Sequence, residues 1–382
     1  MTASEPLEVA AAPTVGLRER TAALLRGHWP PLVAGSLAVL LAASVARLQA
    51  PRYVVESGYT DHLRHAYAAW AFLHIGPRVF DTPIAEWHVA ALHPHADFWP
   101  TLPEWYPPGL LVIFMPFGVV SNEGLLSDGR VAMLMVMLLG AAAVAASYAL
   151  FRALRVNYEP TLALLLGALG TIVFVDWALD GFVDPLAAGL AIAGLYWAER
   201  GSPGRGLLAL CAALSIHFRL WYLWPAAIAI VVQHRRAIRP WQLAASAFLA
   251  AVSLAAFALA FPSRGKLGSV SVTDLNYLAL KNGMNGERWV ALVGAALLLV
   301  IVALSERRVT PVACVAAALG LVFGVNQWEA WYPALLFPLF LVVRRPWAQA
   351  ALVFAGLQLV VILNGLPNEM RWLHLYYQAV LH

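Results

Sequence analysis

The chain has 382 residues, 61% of them hydrophobic and only 12% charged, with a mean hydropathy of +0.71 and a net charge of +4. A soluble domain carries roughly twice that share of charge, so the composition excludes a soluble enzyme, and no nucleic-acid partner is expected. No Walker A loop, dinucleotide-binding glycine fingerprint or HExxH zinc motif is present, and the two cysteines, Cys211 and Cys314, lie in apolar runs that suggest neither a disulfide framework nor a zinc site.

Residues 1–30 form a basic segment with Arg18, Arg20 and Arg26. The apolar run Pro31–Ala50 that follows is longer than a signal-peptide core. It reads as a retained first helix whose N-terminus lies in the cytoplasm. Next comes "SGYTDHLRHAYAAW" at 57–70, which gathers Asp61, His62, Arg64 and His65 in five positions. The spacing predicts an interfacial helix from Asp61 to His74. Leu63, Tyr67 and Trp70 form its apolar stripe, and Asp61, Arg64 and His65 share the opposite face. "YPPGLLVIFMPFGVV" at 106–120 is short for a membrane span of about 20 residues. Further apolar runs cover about 129–150, 160–178, 185–198, 206–218, 220–233, 240–261, 289–304, 309–325, 331–343 and 347–364.

Charge decides how the chain threads. If 106–120 lies in or dips into the outer interface without crossing, Arg152 and Arg155, Arg200 and Arg205, Arg235, Arg236 and Arg239, Arg307 and Arg308, and Arg344 and Arg345 all fall inside. The same threading puts Asp61, Glu104, Asp180, Asp184 and Glu329 outside. That obeys the positive-inside rule throughout. The expected fold is an all-α polytopic membrane protein of about eleven spanning helices, with two juxtamembrane helices in the external loop at 51–128. Residues 31–233 form one transmembrane module, and 234–382 hold further helices and an external tail. Most acids and many of the fifteen tryptophans collect outside, so any chemistry is expected on that face.

Four stretches resemble the GT-C superfamily of integral-membrane glycosyltransferases. "YTDHLRH" at 59–65 looks like that family's catalytic acid region, and "WYPPGLL" at 105–111 like the Tyr-Pro-Pro that opens its second juxtamembrane helix. "DGFVDPLAAGL" at 180–190 looks like the second external acid followed by Pro and a new helix; "SIHFRLWYLWP" at 215–225 looks like the basic residue ahead of a Pro-containing helix. The Tyr-Pro-Pro segment is most similar to mannosyltransferases that use polyprenol-phosphate-mannose. The resemblance covers about the first 230 residues. It implies a polyprenyl-phosphate-sugar donor, a glycolipid or polysaccharide acceptor, Asp61 in the catalytic position, Asp184 as the second acid and Arg219 as the basic residue. Gly181-Phe182 stands where mannosyltransferase relatives often have Gly-Gln, which leaves the sugar open between mannose, glucose, arabinose and an aminosugar.

The implied chemistry suits these residue types. A sugar hydroxyl is a poor nucleophile, and a carboxylate within hydrogen-bond reach can take its proton as the new bond forms. Asp61 is the candidate base. The leaving group is a lipid phosphate, which needs positive charge more than a proton. Arg219 offers a bidentate fork for it, with His217 and Arg130 as further candidates. His62, Arg64, His65, Glu104, Tyr106, Asp180, Asp184, Trp331 and Tyr332 are candidate substrate contacts.

Plainer roles compete for several of them. Asp61 can serve the helix dipole. Asp184 before Pro185 fits a helix N-cap. Arg219 can snorkel, and the aromatics can anchor the interface. Asp61 with two histidines, or "HPHADFW" at 93–99, has ligands for a divalent ion, so metal dependence stays open, although no cofactor is expected. The alternative function is a lipid or solute transporter or flippase. Against it, the sequence has no internal repeat and no paired broken helices.

Overall fold

The structure, a computed structural model of the chain, describes residues 61–87, 106–179, 182–217, 220 and 223–266, with short pieces at 300–301, 304, 308–314 and 337–342. The predicted first helix at 31–50, the stretch 88–105 with Glu104, and Asp180, Arg219, Trp331 and Tyr332 lie outside the described residues. So do most of the apolar runs after 289.

The described residues are helical, with no strand among them. Helix α1 spans Asp61–Ile75, α2 Pro108–Asn122, α3 Asp128–Asn157, α4 Pro160–Leu179, α5 Asp184–Glu199, α6 Pro203–Ile216, α7 Trp224–His234 and α8 Pro240–Lys266. Two short 3-10 helices, Gly76–Phe80 and Ile84–Glu86, follow α1. Proline punctuates the chain. Pro108, Pro160, Pro185, Pro203, Pro225 and Pro240 each stand in the first two positions of a helix, where the missing N–H has no intrahelical partner to lose. Gly76 ends α1 at φ +60°, a left-handed conformation that glycine adopts without strain.

One described helix, Arg130–Asn157, is long and apolar enough to cross a membrane. Helices α5, α6 and α7 have 16, 14 and 11 residues, short of the roughly 20 that a straight span needs. Apolar runs therefore mark the helices here without setting their length. Helix α2, with 15 residues, is also shorter than a span.

The tightest pairings are α5 with α6, α3 with α4, α1 with α2, α3 with α5, and α6 with α8. Their shared core includes Trp177, Phe114, Phe174, Met135 and Leu139, all fully buried. The long helices alternate in direction, so the bundle has two chemically distinct ends. At one end, the C-termini of α3 and α5 meet, where Val156, Asn157, Glu199 and Arg200 line one cleft. Asn157 Nδ2 also donates to the Leu341 carbonyl at 2.5 Å, and Arg308 pairs with Glu199. Arg152, Arg155, Arg200, Arg205, Arg235, Arg236, Arg239 and Arg308 belong to this end by helix direction and contact, against two acids, Glu159 and Glu199, among the described residues. These arginines make one end of the described bundle basic, and Arg64, Arg78 and Arg130 lie outside that end.

Helix α1 is where the sequence expectation needs correcting. The helix forms, but it is not a surface helix with a solvated polar face. Arg64 and His65 are buried, as are Tyr67, Trp70 and the alanines at 66, 68, 69 and 71. The cause is α2, which lies against α1 so closely that Gly118 has no room for a side chain. A Cβ there would run into the backbone carbonyl of Ala66 and come within 3.0 Å of the Trp70 Cβ. Gly118→Ala is therefore expected to destabilise the protein by about 1–3 kcal/mol, the usual cost of overpacking. Thermal unfolding in detergent measures it. An unchanged or raised melting temperature would show that the two helices are not held at this distance.

Candidate functional site

At the end opposite this basic cluster, four separate stretches of chain meet. Helix α1 supplies Arg64 and His65. The two residues before α2 bring Tyr106, and the first turn of α5 brings Asp184. The residue after α6 is His217. All five side chains are buried, with 3%, 1%, 7%, 1% and 0% exposure in that order.

Four of them form a connected row, and Arg64 precedes His65 on α1. The His65 and Tyr106 rings meet edge to face with centroids 4.6 Å apart. Tyr106 meets His217 in the same way at 5.2 Å. His217 Nε2 then lies 3.2 Å from Asp184 Oδ1. Phe114 from α2 closes the far side of His65 at 5.6 Å.

The local backbone explains these positions. Pro107 is extended at φ −60°, ψ 155° ahead of the helix that opens at Pro108, and so aims Tyr106 away from the α2 axis. Gly109 lets α2 close on the end of α6, since a Cβ there would sit 2.5 Å from the Ser215 carbonyl oxygen. The α5–α6 hairpin turns through Gly201 at φ +82°. Its arms of 16 and 14 residues are nearly equal, about 24 and 21 Å at 1.5 Å per residue. The start of α5 and the end of α6 therefore come out side by side, and Asp184 and His217 with them.

The N-cap reading of Asp184 is corrected. Val183 holds the cap position, Asp184 is already the first residue of α5, and the cap makes no side-chain hydrogen bond. The Asp184 carboxylate is directed to His217 instead. It still sits at the positive end of the α5 dipole, which favours its charge.

Asp61 and His62 are the first two residues of the α1 range, and their side chains lie outside the described ones. Arg130 is exposed on the first turn of α3 and stands outside the row. Phe114 was not singled out in the sequence. Its signal was position alone, as a large aromatic two turns into the helix that Tyr-Pro-Pro opens.

A buried arginine, two imidazoles and a phenol beside a single carboxylate make an anion-favouring surface with one internal counter-charge. Among the described residues, no three His, Cys, Asp or Glu side chains come together as a metal site. No family model, no curated protein and no solved structure matches the chain.

Proposed function

We propose that the protein is an integral-membrane glycosyltransferase of GT-C type, with about eleven spanning helices and a cytoplasmic N-terminus. It moves a sugar, mannose as the first candidate, from a polyprenyl-phosphate donor to a glycolipid or glycan acceptor on the outer face of the membrane. One observation carries the reading. The four stretches that resemble the family are far apart in sequence, yet each delivers a buried side chain to the same row: His65, Tyr106, Asp184 and His217. Unrelated structural polar residues have no reason to converge in this way at one end of the bundle. Buried polar and ionic groups within a membrane bundle are costly and are kept chiefly where they do work.

The reaction is a single displacement. The acceptor oxygen attacks the anomeric carbon as its proton passes to the Asp61 carboxylate. The bond from the anomeric carbon to the phosphate oxygen breaks, and the polyprenyl phosphate leaves with the electron pair. Arg219 and His217 meet the charge on the departing phosphate, with Arg130 at the rim. Arg64, His65 and Tyr106 shape the pocket behind the sugar. Asp184 holds His217 in place, and Asp180, Glu104, His62, Trp331 and Tyr332 remain further candidate substrate contacts. No metal or cofactor takes part in this scheme.

The test is transfer from a panel of radiolabelled polyprenyl-phosphate sugars by membranes containing the protein, with a native lipid extract as acceptor. One donor is expected to label a product whose anomeric configuration is inverted. Retention of configuration would overturn the single displacement. No transfer from any donor, with native acceptors present, would shift the reading to a transporter.

A further inference from the structure

The basic end of the bundle holds a feature that the proposed transfer does not use. Helices α3 and α5 each carry a tyrosine followed four residues later by an arginine: Tyr148 with Arg152, and Tyr196 with Arg200. At that spacing the two side chains share a helix face. The helices bring the pairs together. Arg152 Nη1 donates to Tyr148 Oη at 3.4 Å, and its guanidinium lies beside Tyr196. The Arg200 guanidinium carbon lies 5.8 Å from the Tyr196 ring centroid. Tyr196 thus stands between two guanidinium groups. Arg200 continues into the open cleft of about 550 Å3 that it lines with Val156, Asn157 and Glu199. The one carboxylate in that cleft is already occupied by Arg308.

We infer that this cleft is a binding site for the headgroup of an anionic membrane phospholipid, with Arg200, which lines it, and Arg152, one helical turn before the lining residue Val156, as its charged contacts. Charge complementarity carries the assignment. Glu199 is neutralised from outside the cleft, and the two arginines face an end that holds only Glu159 as a further acid among the described residues. Basic pockets between helices at a cytoplasmic surface take phosphate headgroups. Tyrosines at this level fit the boundary between acyl chains and headgroups. Guanidinium groups suit a phosphodiester because their planar fork reaches two oxygens at once. The acyl chains would lie along α3 and α5, where Met137 and Trp197 are exposed.

The experiment uses the full chain in mild detergent. It is offered equal amounts of phosphatidylglycerol and phosphatidylcholine, and bound lipid is counted by native mass spectrometry. Each arginine at an anionic surface contributes about fivefold, so the wild type is expected to retain phosphatidylglycerol about thirtyfold over phosphatidylcholine. Arg152→Gln with Arg200→Gln removes that preference. Arg200→Gln alone, at an exposed position, lowers it about fivefold and serves if the double variant does not fold. Arg236→Gln, at the same end but outside the cleft lining, leaves it unchanged. Equal retention of both lipids by the wild type overturns the site. So does an equal loss in Arg236→Gln, which would mean diffuse charge. Displacement of the lipid by millimolar inorganic phosphate would assign the cleft to a soluble phosphate compound and overturn the lipid assignment.

Discussion

Asp61→Asn is expected to lower sugar transfer by about 10²–10⁴-fold, the range that a positioned general base contributes. The substitution keeps the size and shape of the side chain and removes only its ability to take a proton. Asp61 opens α1, so its charge also favours the helix dipole, but that interaction is worth only about 0.3–1 kcal/mol at a surface. Abundance and melting temperature should therefore stay near the wild type while kcat falls. KM for the donor should change little, because the donor phosphate is met by other groups. Transfer at the wild-type rate by Asp61→Asn would remove Asp61 as the base. A fall in melting temperature matching the fall in activity would return Asp61 to its plainer role as a dipole-capping acid.

Much of the helical layout was legible in the sequence, and the departures have physical causes. The apolar run at 129–150 becomes a helix over Asp128–Asn157. Hydropathy stops at Arg152, but the backbone continues two turns further because arginine is a good helix former and Arg152 finds Tyr148 and Tyr196. The run at 206–218 becomes Pro203–Ile216 and the run at 220–233 becomes Trp224–His234. In both, proline and not hydropathy sets the start. The run at 240–261 begins at Pro240 as expected and extends to Lys266.

The polar face of α1 was misjudged for a different reason. Periodicity says which residues share a face of a helix, not what covers that face. Nothing local to 57–70 announces that α2 will close on it through Gly118, or that His217 will approach from a distant helix. The Asp184–His217 contact, by contrast, was within reach of the sequence. Gly201 lies nearly midway between the two residues, so a hairpin turning there must bring them together. The Tyr-Arg pairs of α3 and α5 were equally readable as spacings. Their meaning came only when the two helices proved to be neighbours.

The Asp184–His217 pair gives the second large expectation, and it separates stability from function. His217→Leu leaves a carboxylate with 1% exposure beside an apolar side chain, and Asp184→Leu leaves an imidazole with none. Removing one partner of a buried ionic pair costs about 3–5 kcal/mol, whereas replacing both with apolar residues of similar volume is often neutral. Each single variant should therefore unfold well below the wild type in detergent. The double variant should recover most of the loss, so that the two single losses do not add, as expected for residues in direct contact. Losses that simply add would show that the 3.2 Å approach does not bind the two groups energetically. Function should not follow stability. If His217 meets the donor phosphate, the double variant folds well and still fails to transfer sugar, while Asp184→Asn, which keeps a polar partner for the imidazole, retains part of the activity. A stable double variant with full transfer would make the pair a packing device and leave the donor phosphate to Arg219 alone.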